Sequence, residues 1–113
     1  MSFEKLHVWK RSAKLCTAIY KQFAELKDYG FRDQITRSSL SISSNIAEGM
    51  DRESNKEKKR FLVISRGSTA ELRSQIYIGI DIKYIPKKIG DIWIQETREI
   101  SAMLVGLIKT LED

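Results

Sequence analysis

QITRSSLSISSNIAEG, residues 34–49, reads as a single helix carrying two unlike stripes side by side. Ile35, Ser39, Ile42, Ile46 and Gly49 recur at spacings of four and three, so they share one face and form an apolar seam lined with small residues. Ser38, Ser41, Asn45 and Glu48 recur beside them at three and four. A helix that only covers a core keeps its polar residues on the far side. Here the polar stripe borders the seam, which places it at a contact between helices.

Outward from this stretch, the rest of the chain also takes helical periodicity. A first helix spans about 6–26, with a seam through Trp9, Ala13, Cys16, Tyr20 and Phe23, widened by Ile19. Lys27-Asp28-Tyr29-Gly30 is the turn into the second helix, about 31–50, with Gly30 as the breaker. Ser54 and Glu57 form a capping box that opens a third helix, because the hydroxyl accepts from the amide three residues on and the carboxylate reaches back. That helix runs to about Tyr84 and closes at Ile85-Pro86, since proline disfavours helix in the residue before it. Lys87–Gly90 is read as a connector and Asp91 as the N-cap of a fourth helix. The seam of this fourth helix is Trp93, Thr97, Ile100, Leu104, Leu107 and Leu111. Four helices of about 20 residues on short turns predict an all-α fold, an antiparallel up-down-up-down four-helix bundle spanning 1–113 as one domain.

The net charge of +5 is uneven: residues 1–60 hold 13 Lys and Arg against 8 Asp and Glu, and residues 61–113 hold 7 of each. A basic half is compatible with an anionic partner. Cys16 is the single cysteine, which excludes an internal disulfide, and its apolar neighbours mark it as a buried small hydrophobe. The opening MSFEKLHVWKR lacks the apolar core of a signal peptide, and no apolar run approaches the roughly 18 residues that span a membrane, so a cytoplasmic protein is expected.

Four blocks together resemble one family. They are Phe3-x-x-Leu6-x-Val8-Trp9; Gln34-Ile35-x-Arg37 followed by Ser41 to Gly49; Phe61-Leu62 with Gly67-Ser68 and Ala70-Glu71-Leu72; and Met103-Leu104-x-Gly106-Leu107-Ile108. The pattern is similar to that of the small four-helix-bundle proteins encoded within intervening sequences of bacterial 23S ribosomal RNA genes. The resemblance implies a closed bundle that assembles into a ring, a homopentamer, with no established enzymatic activity. It implies a link to RNA only through where such genes lie. Ser43 stands where the family often has proline.

Two sets of residues are candidates for function. Asn45 and Glu48 with Glu71 and Gln75 of the third helix form a polar network that fixes helix register or a subunit contact, since a buried carboxylate needs a partner. Arg52, Lys56, Lys58, Lys59 and Arg60, with Lys10, Arg11 and Lys14 on the first helix, are candidates for contact with the phosphates of RNA or DNA. Metal, cofactor and catalytic roles find no support. His7 is the only histidine, no Glu-x-x-His occurs, and there is neither a nucleophile elbow nor a glycine-rich phosphate loop. The expected function is a non-catalytic basic homo-oligomer that binds nucleic acid. The alternative is an oligomeric scaffold for a protein partner. The apolar breadth of the third helix, with Trp93 and Ile94, is expected to be exposed on a monomer and to mark an interface.

Overall fold

A computed structural model describes residues 2–111. A short 3-10 turn, Phe3–Lys5, leads into α1 (His7–Gln22), α2 (Tyr29–Met50), α3 (Asn55–Asp81) and α4 (Lys87–Thr110). Among the described residues there is no strand. The molecule measures 45 × 21 × 20 Å, and each helix touches only its neighbours in the cycle α1–α2–α3–α4. The α2–α3 contact is the most extensive and the α1–α4 contact the thinnest. One core runs through all four helices, built on Ile19, Ile35, Ile42, Leu72, Ile76, Ile100 and Leu104, all fully buried.

The seam of α2 is buried as its spacing predicts: Ile35, Ser39, Ile42, Ile46 and Gly49 all face inward. The serines among them carry little polar cost because their hydroxyls are satisfied within the chain. Ser39 Oγ donates to the Thr36 carbonyl at 2.8 Å and Ser43 Oγ to that of Leu40 at 3.3 Å. Gly49 is needed for close packing, since a Cβ there would lie 2.8 Å from Phe61 Cβ and 3.2 Å from the Lys58 carbonyl oxygen.

Other local features differ from the sequence reading. The seam of α1 is centred one residue over, through Val8, Ser12, Leu15 and Ile19; Cys16 and Phe23 are buried as predicted, whereas Tyr20 is 44% exposed. The buried serine hides this seam from a purely apolar count; Ser12 Oγ donates to the Trp9 carbonyl at 3.0 Å. Trp9 lies at the edge, where its ring meets Phe3 edge-on at 5.1 Å.

The helix boundaries shift as well. α2 starts at Tyr29, so Gly30 lies inside its first turn, and Asp28 is the N-cap, its side chain accepting from the Phe31 amide at 3.1 Å. Tyr84 Oη donates to the same carboxylate at 2.8 Å. Ser54 does cap α3, accepting from the Glu57 amide at 3.1 Å, but Glu57 is paired with Arg60 at 3.3 Å. α3 ends at Asp81 rather than Tyr84. Lys83 takes a left-handed conformation (φ 66°), and the Tyr84 amide reaches the Gly79 carbonyl at 2.9 Å, the pattern of a Schellman cap.

Asp91 is not an N-cap. Pro86 precedes the first turn of α4, and Asp91, one turn inside, pairs with Lys87 at 2.8 Å. Proline suits a helix start because its fixed φ and missing N–H cost nothing there. Gly90 belongs to that first turn, where a Cβ would overlap Ile80 of α3, so it serves packing rather than a connector. On α4 the buried line runs Trp93, Thr97, Ile100, Leu104, Ile108, while Leu107 and Leu111 are half-buried. A straight helix drifts off a strict heptad in this way.

Candidate nucleic-acid interface

The second and third helices are stitched by three hydroxyl contacts. Ser38 Oγ donates to Glu71 Oε1 at 2.6 Å, Ser41 and Ser68 share a hydrogen bond of 2.9 Å, and Ser65 Oγ donates to the Ile42 carbonyl at 2.8 Å. Of the four residues predicted to form a polar network, Glu71 sits in this contact through Ser38. Asn45 stays on its own helix, donating to the Ser41 carbonyl at 2.8 Å and to its hydroxyl at 3.0 Å. Glu48 lies apart, half-exposed and paired with Arg52 one turn on. Gln75 is partly buried on α3, and its Oε1 has no partner among the described residues. Ser65 and Ser68, absent from the predicted set, carry more of the contact than Asn45 or Glu48. Their signal was the small residue recurring on α3 opposite the serine-rich seam.

The eight basic candidates divide into engaged and unengaged groups. Arg52 and Arg60 lie over the Phe61 ring, 5.0 and 4.6 Å from its centroid, and pair with Glu48 and Glu57 respectively. Lys58 Nζ donates to the Met50 carbonyl at 3.2 Å, closing the end of α2. Arg11 is held by two carboxylates of α4: Nε and Nη2 donate to Glu96 at 2.9 and 2.6 Å, and Nη2 reaches Glu99 at 2.5 Å. Those bonds, Glu96 first, raise the guanidinium pKa above its ordinary value. In turn Arg11, and then Gln95, hold Glu99 below the usual carboxylate range. Lys10, Lys14, Lys56 and Lys59 make no ion pair among the described residues. Lys10, Lys14 and Lys56 are exposed, and Lys59 is partly so. Lys56 and Lys59 border a groove of about 640 Å³ floored by Val63, Ile64 and Leu111.

The expected exposed patch is only partly where it was placed. Trp93 and Ile94 are 8% exposed and belong to the core. Ile92, beside them, is the exposed residue, at 63%. On α3, Val63, Ile64 and Ile78, and Ile82 just past its end, are 42–50% exposed. Among the described residues, no three His, Cys, Asp or Glu side chains are grouped to hold a metal, and no helix is long and apolar enough to cross a membrane.

Four helices around one core, with serines pinning the second to the third, define a small all-α bundle. The family model for the 23S rRNA-intervening sequence protein matches residues 4–106, and the chain belongs to that family. It is similar in structure to a protein of unknown function from the S23 ribosomal protein family of Bacteroides thetaiotaomicron. The TM-score is 0.84 at 26% identity, over 90% of this chain and 98% of that one. A search of the curated proteins finds no match.

Proposed function

We propose that this chain is a non-catalytic, cytoplasmic homo-oligomer that binds RNA or DNA through phosphate contacts. Its subunit is a single antiparallel up-down-up-down bundle, and its ring is a pentamer, as the family resemblance implies. The antiparallel reading is supported by the order of the α2–α3 contacts: 38 with 71, 41 with 68 and 42 with 65, one index rising as the other falls. The observation that supports nucleic-acid binding is the set of lysines without an ion pair among the described residues, Lys10, Lys14, Lys56 and Lys59, on the opening turns of α1 and α3. Unpaired surface lysines release counterions from a phosphate backbone without a prior ion pair to break. Repetition around an oligomer multiplies each weak set. Arg11, Arg52, Lys58 and Arg60 contribute less, because each would first surrender a partner within the chain.

The test is a salt-series titration by fluorescence anisotropy with structured RNA, single-stranded RNA and duplex DNA. Binding should weaken steeply with salt. Each of Lys10→Gln, Lys14→Gln, Lys56→Gln and Lys59→Gln should reduce the slope of log K against log salt by about 1. Arg11→Gln should leave that slope nearly unchanged. No binding to any of the three at low salt retires this reading in favour of the second one, a scaffold for a protein partner. The exposed apolar residues of α3 and Ile92 favour that alternative.

A further inference from the structure

Basic and apolar side chains converge on one groove, between the opening turns of α3 and the end of α4. Lys56, Arg60 and Ile64 follow one another at spacings of four along α3, and Lys59 and Val63 do so beside them. The cations of the first turns therefore lead straight into apolar surface. Val63 and Ile64 are 43% and 42% exposed, and Leu111, just past α4, completes the floor. The groove holds about 640 Å³, within the range of roughly 300–1,000 Å³ that accommodates a small organic group.

Two further lining residues, Arg60 and Glu57, narrow the choice of ligand. The Arg60 guanidinium carbon lies 4.6 Å from the Phe61 ring centroid, and the side chain is still 61% exposed. A guanidinium resting on a ring is a steadied flat cation, whose exposed side can stack on a nucleobase. Glu57 Oε2 accepts from Arg60 Nη2 at 3.3 Å, while Oε1 accepts no hydrogen bond among the described residues. A half-exposed carboxylate repels a phosphate but accepts from a hydroxyl. A duplex stacks its bases inside and presents phosphates, so it gains nothing from an apolar floor. A single RNA strand carries phosphates for the lysines, a bare base face for the floor and a 2′-hydroxyl for Glu57.

We propose that this groove binds single-stranded RNA. One base lies on Val63, Ile64 and the Arg60 plane, the flanking phosphates meet Lys56 and Lys59, and a 2′-hydroxyl donates to Glu57. The inference rests on the nucleic-acid reading above and names the form of the strand. These contacts are to groups that every ribonucleotide shares, so recognition is by strandedness and sugar rather than by base sequence. Lys10 and Lys14 of α1 line no part of the groove, so they add charge without telling one form of nucleic acid from another.

The experiment measures fluorescence anisotropy on the full chain with a labelled oligouridine, the matching oligodeoxyuridine and an RNA duplex of equal length, each at several salt concentrations. Oligouridine should bind tightest. Val63→Ser combined with Ile64→Ser should weaken it about tenfold at every salt concentration, with the salt slope and the duplex affinity unchanged. Arg60→Lys keeps the charge but loses the plane, and should weaken oligouridine several-fold at the same slope. Ile92→Ser, an exposed apolar change about 28 Å along α4 from Leu111, should have no effect. Glu57→Ala should bring together the oligouridine and oligodeoxyuridine affinities, about fivefold apart in the wild type. Helicity by circular dichroism identifies any variant that fails to fold, and the comparison of the three probes needs no variant. Single strand and duplex bound alike, with the Val63 and Ile64 double variant unchanged, would overturn the groove while leaving phosphate contact by the lysines intact. Equal RNA and DNA affinities in the wild type would overturn the assignment to RNA. No binding to any probe at low salt overturns this inference together with the reading it rests on. A labelled acidic amphipathic peptide that binds where oligouridine does not, and is lost in the same double variant, would give the groove to a protein partner instead.

Discussion

Lys83 holds a conformation that suits glycine. Its φ of 66° completes the Schellman cap of α3, and a side chain there carries the left-handed penalty of about 1 kcal/mol. Lys83→Gly is therefore expected to stabilise the fold by up to about 1 kcal/mol, the gain being trimmed by the extra freedom of glycine in the unfolded chain. Chemical denaturation should show a higher midpoint at constant slope. Ser65 and Glu48 provide the opposite comparison. Ser65 is fully buried and bridges α3 to the Ile42 carbonyl, so Ser65→Ala should cost about 1 kcal/mol. Glu48 sits in solvent with only Arg52 as partner, so Glu48→Ala should change stability by less than about 0.5 kcal/mol. Equal losses in the two variants would show that Glu48 has a partner outside this chain. The stripe 38–41–45–48 was legible as a contact edge from its spacing, but which members reach across was not. Helix spacing fixes direction around the axis and says nothing of how far a neighbouring helix extends. Ser38 and Ser41 meet α3, whereas Glu48 lies near the end of α2 and pairs with Arg52 just past it.

Among the elements, α1 is held least evenly. It packs broadly on α2 and thinly on α4, and Arg11 spans the thin side by gripping Glu96 and Glu99. Because Arg11 lowers the Glu99 pKa, the contribution of the Arg11–Glu99 pair is complete above the ordinary carboxylate value of 4.5 and is lost as pH falls through the depressed folded value. Arg11→Ala should speed amide exchange in α1 several-fold at neutral pH while leaving the centre of α3 protected. The difference from wild type should shrink as pH falls through the depressed Glu99 value and that carboxylate protonates. Uniform acceleration across all four helices would mean that α1 does not open separately. The start of α4 carries a related lesson in reading elements. Gly90 suggested a connector, yet it is buried in the first turn because Ile80 occupies the space a Cβ would need. A glycine demanded by a neighbouring helix looks the same in sequence as one demanded by a turn.

At the scale of the molecule, basic side chains and exposed apolar surface both lie on α3, and they meet at the groove lined by Lys56, Lys59, Val63 and Ile64. The unengaged lysines lie on the opening turns of α1 and α3, and the apolar stripe runs along the back of α3. Local chemistry was enough to establish four helices, the seam of α2, the Ser54 cap and the burial of Cys16. Each follows from periodicity or from a hydrogen bond made within a few residues. Family membership likewise rested on short blocks that survive as written. Packing decided the rest: the one-residue shift of the α1 seam, the burial of Trp93 and Ile94, the pairing of Arg11 across 85 positions, and which basic residues remain unengaged. These depend on which helix lies alongside and at what height. That is a property of the assembled core, where a side chain's partner is set by distance in space and is invisible to distance along the chain.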